Sequence, residues 1–280
     1  MAEISVLTPA FAAQRRLPSS IARILDQDFE DWEMLIVSDD GVDYQSILAR
    51  EGIADPRLRF LQTAVRGSGP NVARNLALHA ARGRFIAPLD PDDLCDPRRL
   101  GCLRALAADH GMAGDNLHVI DEAGSRPGHL VFPLDPPLHF LTIDDLYGIP
   151  VPLSFVFHRS LVAGGWDEDM GPGSDILFTL RAMERVERAV IYSEPMHEYR
   201  FRPGSIGHGF DTTEGAETAY RCCLQRLREG DLGFRSHRFR EAVARLLWHK
   251  RRLNRAYRRA IHQGFSGSFL HFLGLWENHA

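Results

Sequence analysis

The sequence predicts an α/β fold, an open sheet with helices on both faces. Three observations carry this. Over the first 110 residues, short apolar runs alternate with segments of helical spacing. One run, Met34-Leu35-Ile36-Val37, is apolar without alternation, as a strand buried on both faces of a parallel sheet requires. Two runs end in acids, Asp39-Asp40 and Asp90-Pro91-Asp92-Asp93, at the carboxyl strand ends where open sheets bind ligands.

Taken in order, Ile4-Ser5-Val6-Leu7-Thr8 is a β-branched run that stops at Pro9 and predicts the first strand. Residues 14–27 carry Leu17, Ile21, Ile24 and Leu25 at helical spacing. Met34–Val37 is the second strand and Leu58–Leu61 the third. Residues 70–82 predict a helix, with Pro70 in its first turn. Phe85–Leu89 predicts a fourth strand, only partly paired around Pro88. Asp96-Pro97 opens a helix over 97–109, and residues 111–154, rich in Gly, Pro and Asp, predict loops with short strands. Ser154–Phe157 predicts a strand, 174–186 a helix, and 189–193 and 197–201 two short strands. From 212 onward the pattern is helical almost to the end. The expected division is an α/β unit over 1–210, in halves 1–110 and 111–210, and a basic helical extension over 211–280.

Composition narrows the class. The 280 residues are 44% hydrophobic and 25% charged, which excludes a disordered chain, a collagen-like repeat and a disulfide-stapled mini-protein. No apolar run reaches the ~18 residues of a membrane-spanning helix, and the first residues lack the pattern of a secretory signal. Cys95, Cys102, Cys222 and Cys223 lack zinc-site spacing and read as reduced thiols, so a cytoplasmic location is expected. The net charge of −4 hides an asymmetry: residues 1–220 hold 20 basic and 33 acidic side chains, residues 221–262 hold 13 and 3. An acidic body with a basic arm suggests an anionic partner for the arm.

Clustered carboxylates repel one another unless a cation or donors compensate them. A hard divalent ion, Mg²⁺ or Mn²⁺, held by one or two carboxylates and completed by phosphate oxygens and water, is the simple resolution. By itself Asp-Pro-Asp-Asp reads more readily as a helix-capping turn, because the motif is so short.

The order of motifs changes that balance. Thr8-Pro9-Ala10-Phe11 is followed by Asp39-Asp40-Gly41, then Asn71-Val72-Ala73-Arg74-Asn75, then Ala81-x-Gly83-Arg84-Phe85-Ile86 leading to Asp90-x-Asp92-Asp93. Gly164-Gly165-Trp166-Asp167-Glu168, Ser174-Asp175 and Tyr199-Arg200-x-Arg202-x-x-Ser205 come later. This series resembles the family 2 glycosyltransferases of the GT-A fold, a Rossmann-like nucleotide-diphospho-sugar transferase fold. The resemblance covers about residues 3–210, and its strength lies in order and spacing rather than in any one motif. Two departures stand out: Val42-Asp43 follows Asp-Asp-Gly where the family has Ser/Thr-x-Asp, and Arg202 replaces a histidine.

The resemblance implies an inverting transferase moving a sugar from a nucleotide-diphosphate donor, UDP-linked by expectation, to a hydroxyl of a glycan or lipid-linked acceptor. Residues 1–110 would bind the nucleotide and 111–210 the acceptor. Pro9, Ala10 and Phe11 would line the nucleobase pocket, and Asp39 would accept a bond from the base. Arg66 and Arg74 would border the nucleotide, with Arg74 alternatively tying its helix to the sheet. Asp90 would reach the ribose, Asp92 would ligate Mn²⁺ or Mg²⁺, and Asp93 would stand behind it or cap the next turn. Arg202 could bind the diphosphate by charge but cannot ligate a metal, a task left to His197 or His208. Asp175 would be the base that takes the acceptor proton; its competing reading is a helix N-cap, and Asp167, Glu168 and Asp169 lie close enough to be mistaken for it.

The rivals are a sugar-phosphate nucleotidyltransferase, disfavoured by a first loop without glycine or lysine, and a non-catalytic nucleotide-sugar-binding scaffold. In the arm, Phe239, Val243, Leu246, Leu253, Tyr257 and Ile261 form an apolar stripe among arginines, before an aromatic segment ending at Trp276. Residues 235–276 could meet an anionic membrane or a second subunit, or simply pack on their own domain, which is what most such stripes do. The acidic body argues against nucleic acid.

Overall fold

A computed structural model describes residues 2–121, 129–149, 153–170, 173–201, 210–230, 232–267, 269, 272 and 273. The elements in chain order are β1 (Ile4–Ala10), α1 (Leu17–Leu25), β2 (Trp32–Ser38), α2 (Tyr44–Arg50), β3 (Leu58–Gln62), α3 (Pro70–Ala80), β4 (Phe85–Pro88) and β5 (Leu94–Cys95). Then follow α4 (Arg99–His110), β6 (Met112–Asp121), β7 (His129–Leu130), β8 (Leu138–Leu141), β9 (Phe155–His158), α5 (Ser174–Val186), β10 (Ala189–Phe201), α6 (Phe210–Glu229) and α7 (His237–His262). One mixed sheet runs β3-β2-β1-β4-β9-β6-β10-β5, with β7 on β6 and β8 on β10. The first four strands are parallel; β9 runs against both β4 and β6.

The unbroken apolarity of Met34–Val37 in β2 has its cause in two cores. Trp32, Met34 and Ile36 face one core with Leu17, Ile21 and Ile24 of α1 and Leu100, Leu103 and Ala107 of α4. Leu35 and Val37 face the other, with Ala73 and Ala77 of α3 and Leu177 and Leu180 of α5. Period-2 side chains thus leave no polar face to spare.

Several expectations are corrected. β1 continues through Pro9 to Ala10 rather than stopping at Thr8. Asp39 N–H donates to the Ala10 carbonyl, so the alternation points Pro9 N away from β2, beyond the last rung with β4 at Leu7–Pro88. Pro88 likewise lies past the last rung with β9, at Ile86–Phe157, so partial pairing of β4 is as expected. The helix expected over 14–27 is shorter, and α2 fills a segment left unassigned, capped by Asp43, which accepts from Ser46 N–H at 2.9 Å. The two short strands over 189–201 are one strand with irregular register around Pro195.

The largest departure is β6, a ten-residue strand inside the sheet where loops with short strands were expected. Its fully buried Asp115 and Asn116 disguise it. Asp115 accepts from Arg99 Nε at 3.0 Å, and Arg99 is equally buried. Asn116 donates to the Ser193 and Phe132 carbonyls and accepts from Val131 and Phe132 N–H. Buried polar groups need such partners, and these ones stitch β6 to its neighbours.

The arm turns its stripe inward. Ala242, Val243, Leu246 and Leu247 share the core of α5 with Cys223, Leu224 and Leu227 of α6. Leu253, Ala256 and Tyr257 are buried too, and Tyr257 meets the rings of Phe265, Phe269 and Phe272. Burying Val243, Leu246 and Leu247 stabilises by about 5–9 kcal/mol as an upper figure, comparable to a whole domain's stability. The stripe is thus committed to the core formed with α5 and α6. The four cysteines are unpaired. Among the described residues no helix is long and apolar enough to cross a membrane.

Candidate active site

The carboxyl ends of β1, β2 and β4 are adjacent in the sheet, so the loops after them share one edge. The loop after β2 is held by its own acids. Asp39 is buried and accepts from Thr63 Oγ1 (2.8 Å), Ser68 N–H (2.9 Å) and Gly69 N–H (2.8 Å), which fixes the loop before α3. A carboxylate has about four lone-pair sites, so one remains for a ligand. Asp40 accepts from Ala12 N–H (2.7 Å), Val42 N–H (3.1 Å), Ser38 Oγ (3.1 Å) and Tyr44 Oη (2.8 Å). Tyr44 Oη also accepts from Ala13 N–H. Burial, with the anionic Asp40 beside it, pushes the Tyr44 hydroxyl up to about 12. Asp40 and Tyr44, given no role from sequence, therefore shape the loop that carries Phe11. Pro9 and Ala10 are buried in the strand, whereas Phe11 is 62% exposed beyond it. Arg66 is exposed and lies over Gly41, where a Cβ would come within 3.1 Å of its Nε.

The loop after β4 meets α3 and α5 at one side chain. Arg74 is only 9% exposed; its Nη2 donates to Asp90 Oδ1 at 2.8 Å and its Nη1 to Asp175 Oδ1 at 3.1 Å. Trp166 Nε1 donates to the same Asp175 oxygen at 2.9 Å, and the indole stacks on Phe178 with ring centroids 3.7 Å apart. Asp175 is 57% exposed, and among the described residues nothing binds its Oδ2. The N-cap of α5 is Gly173, so Asp175 is not the cap. Its three neighbours are committed elsewhere: Asp167 to Arg181 at 2.8 Å through both oxygens, Glu168 to Asn75, and Asp169 to Arg226.

Helix α3 also positions the segment bearing Trp166. Asn75 Oδ1 accepts from Trp166 N–H at 2.8 Å and its Nδ2 donates to the Trp166 carbonyl at 2.9 Å. Asn71 Nδ2 donates to the carbonyls of Asp167 and Met170. Sequence reasoning gave Asn71, Asn75 and Trp166 no role. The signal was present, because Ala-Arg-Asn and Gly-Gly-Trp-Asp-Glu are two halves of one contact.

Asp93 and His197 form a further pair, with Oδ2 and Nε2 3.2 Å apart. Burial would raise Asp93, but the His197 charge beside it outweighs this and holds its pKa below the ordinary value. Asp90 goes the other way: recession into the cleft, with Asp93 and Asp175 near, raises it despite Arg74. Asp92 is partly exposed, with Arg16 Nη1 3.6 Å from its Oδ2. Arg202 and His208 lie outside the described residues.

The acids fit a divalent ion. Asp90 is paired with Arg74 but has both Asp93 and Asp175 as anionic neighbours, a surplus of negative charge that a cation would offset. The described residues hold no cluster of three or more possible ligands, so a metal here would rest on one or two carboxylates. That is how Mg²⁺ is held beside substrate phosphates.

The family model for glycosyl transferase family 2 matches residues 5–162. An Escherichia coli UDP-Glc:alpha-D-GlcNAc-diphosphoundecaprenol beta-1,3-glucosyltransferase, WfgD, is 37% identical over 91 residues, 32% of this chain and 35% of that protein. The succinoglycan biosynthesis protein ExoO of Rhizobium meliloti is 36% identical over 124 residues, 44% of this chain and 35% of that protein. The chain thus spans about a third of the length of these curated relatives. Among solved structures, TarS 1–349 of S. aureus in complex with UDP superposes with TM-score 0.60 at 19% identity, over 80% of this chain and 66% of that one. The mannosyltransferase PcManGT of Pyrobaculum calidifontis, in complex with GDP-Man and Mn²⁺, gives 0.58 at 17%, over 99% and 79%. These structures show the expected GT-A fold. With more than half of its length matched by the family model, the chain belongs to glycosyl transferase family 2.

Proposed function

We propose that this protein is an inverting glycosyltransferase that moves a sugar from a nucleotide-diphosphate donor to an acceptor hydroxyl during polysaccharide or glycolipid synthesis. One observation carries the reading. Arg74 gathers Asp90, at the end of β4, and Asp175, at the start of α5, into one half-open cleft. The nucleotide side and the acceptor side of the expected site thereby share one cation. The division into a nucleotide half (1–110), an acceptor half (111–210) and the arm (211–280) belongs to this proposal.

The residue roles follow. Phe11 and the last lone pair of Asp39 receive the base, with Pro9 and Ala10 as the rigid strand beneath. Arg66, exposed over Gly41, borders the nucleotide and Asp90 takes the ribose; the diphosphate is assigned to Arg202 by its charge alone. Asp92 holds Mn²⁺ or Mg²⁺, which when bound offsets the charge gathering on the departing diphosphate. Asp175 has one oxygen fixed by Arg74 and Trp166 and the other open. That open oxygen accepts the acceptor's proton as its hydroxyl oxygen attacks the anomeric carbon. The bond from that carbon to the diphosphate oxygen breaks with its electrons, so configuration inverts. UDP is the proposed nucleotide and a lipid-linked sugar the proposed acceptor. The named relative above acts on a diphosphoundecaprenol-linked sugar with a UDP-sugar.

The test is calorimetric titration with UDP, GDP and dTDP, each with Mn²⁺ and with EDTA, on the parent and on Asp92→Ala. Metal-dependent binding of UDP, lost in Asp92→Ala, supports the donor site. Absence of binding by all three, with and without metal, overturns the reading. Binding without turnover, unchanged in Asp175→Asn, would instead make the chain a nucleotide-sugar-binding scaffold.

A further inference from the structure

With the apolar stripe of α7 buried, the opposite face is what the arm offers to solvent. Arg238, Arg245, Trp248, Arg252, Arg255 and Arg259 are all exposed. They recur at intervals of three, four and seven, which keeps them on one side of the helix. From 238 to 259 the row is about 32 Å long. Glu241 is the one exposed acid in that register. Among the described residues, no carboxylate lies within ion-pair reach of Arg238, Arg245, Arg252 or Arg259, whereas Arg255 leans on Glu217 at 2.5 Å. Trp248 stands mid-row, 46% exposed, with the Arg251 guanidinium 4.9 Å from its ring centroid. Trp248, Arg252, Arg255 and Arg259 also line a shared cleft with His249 and Arg251.

We propose that this arginine face of α7 docks the protein on an anionic bilayer, with Trp248 seated at the headgroup level. The contact is electrostatic and lies on the face opposite the stripe, so it needs no unpacking of the core. Three features fit a bilayer. The charges are held in a straight row by a helix anchored on its other side. A flat anionic surface complements such a row along its whole length. A lone exposed tryptophan among arginines suits the interface, where its ring is apolar and its N–H stays wet. The acidic remainder of the chain is repelled by the same surface, which orients the molecule.

The test is vesicle co-sedimentation of the full chain, read without turnover and so separable from the catalytic reading. The probes are phosphatidylcholine vesicles with and without phosphatidylglycerol, at low and high salt. Binding should require phosphatidylglycerol and weaken with salt. Each basic residue near an anionic surface adds about a factor of five in partitioning, so Arg252→Gln with Arg259→Gln should bind about 30-fold more weakly. Trp248→Ala should also weaken binding, and vesicles should blue-shift the fluorescence of the parent but much less that of Trp248→Phe. All these positions are exposed, and unchanged thermal melts will confirm folding. Equal binding to both vesicle types, no binding at low salt, or undiminished binding by the double variant overturns the proposal. So does a result in which the double variant loses self-association or duplex DNA binding while vesicles are ignored; the partner would then be a second copy or a nucleic acid.

Discussion

Arg74 reaches Asp175 across 101 residues of sequence, with Nη1 3.1 Å from Oδ1, while the same guanidinium holds Asp90 at 2.8 Å. An arginine fork can serve two carboxylates at fixed angles; a lysine ammonium cannot reproduce that geometry. Arg74→Lys should therefore keep the charge and still lose function. Losing one charge-assisted bond corresponds to about a ten- to hundredfold fall in kcat/KM. Steady-state kinetics with varied donor will check this, and unchanged kcat/KM would remove Arg74 from the site.

Asp175→Asn keeps shape and removes the proton acceptor. General base catalysis contributes about a hundred- to ten-thousandfold, so kcat should fall by that much. Titration of the donor nucleotide should give an unchanged Kd, because the side chain is absent from the proposed donor contacts. A parallel loss of nucleotide binding would mean that Asp175 is there to balance Arg74.

Trp166→Phe isolates the indole N–H. Phenylalanine can keep the stack on Phe178 but cannot donate to Asp175. Losing the donor that orients a carboxylate should lower kcat about tenfold, with the donor KM unchanged. If Trp166 only fills space, kcat will hold and the melting temperature alone will move.

Much of this was legible in advance, for physical reasons. β2 announces itself because burial on both faces demands the continuous apolarity of Met34–Val37, and β1 and β4 by short β-branched or apolar runs. The acids at their ends are legible because strands in an open sheet end at its ligand edge. Ala81-x-Gly83 reads as a motif because a Cβ at Gly83 would sit 2.5 Å from Ser5 N, inside the sheet backbone. What stayed hidden depends on partners far along the chain. β6 looks like a loop until Arg99 is seen to neutralise Asp115. Arg74 could not be assigned between phosphate binding and a structural tie without knowing that Asp175 faces it. The arm's stripe has the same pattern whether it meets a core or a membrane, and only the placement of α5 and α6 decides.

Stability should respond to pH through Glu33, far from the acids of the cleft. Its buried carboxylate accepts from Ser5 Oγ, Arg82 N–H and Arg59 Nη1. Burial opposes ionisation, but these bonds outweigh it and hold the pKa below the ordinary 4.5. Its contribution is therefore complete above about 4.5 and is lost as pH falls through the lower folded value. Glu33→Gln should cost about 2 kcal/mol at neutral pH, and the gap from the parent should close on acidification. Urea titrations at several pH values will show it, and a constant gap would mean that packing, not charge, is what Glu33 supplies.

Two adjacent glycines should behave oppositely. Gly165 has φ +66°, and a Cβ there would lie 2.4 Å from Asn75 Oδ1, whereas a Cβ at Gly164 would meet nothing within 4 Å. In Gly165→Ala the left-handed backbone costs about 1–2 kcal/mol. Asn75 must also swing off Trp166, losing two hydrogen bonds of about 1 kcal/mol each. The total, about 3 kcal/mol, should lower the melting temperature clearly, while Gly164→Ala should melt within about a degree of the parent. The kinetic consequence separates scaffold from site. Freed from Asn75, Trp166 no longer fixes Asp175, so kcat should fall in Gly165→Ala at temperatures where the variant is still folded. Donor binding should persist, because Arg74 and Asp90 remain paired. If kcat and donor affinity fell together, the Asn75–Trp166 contact would be holding the whole cleft open rather than aiming one carboxylate.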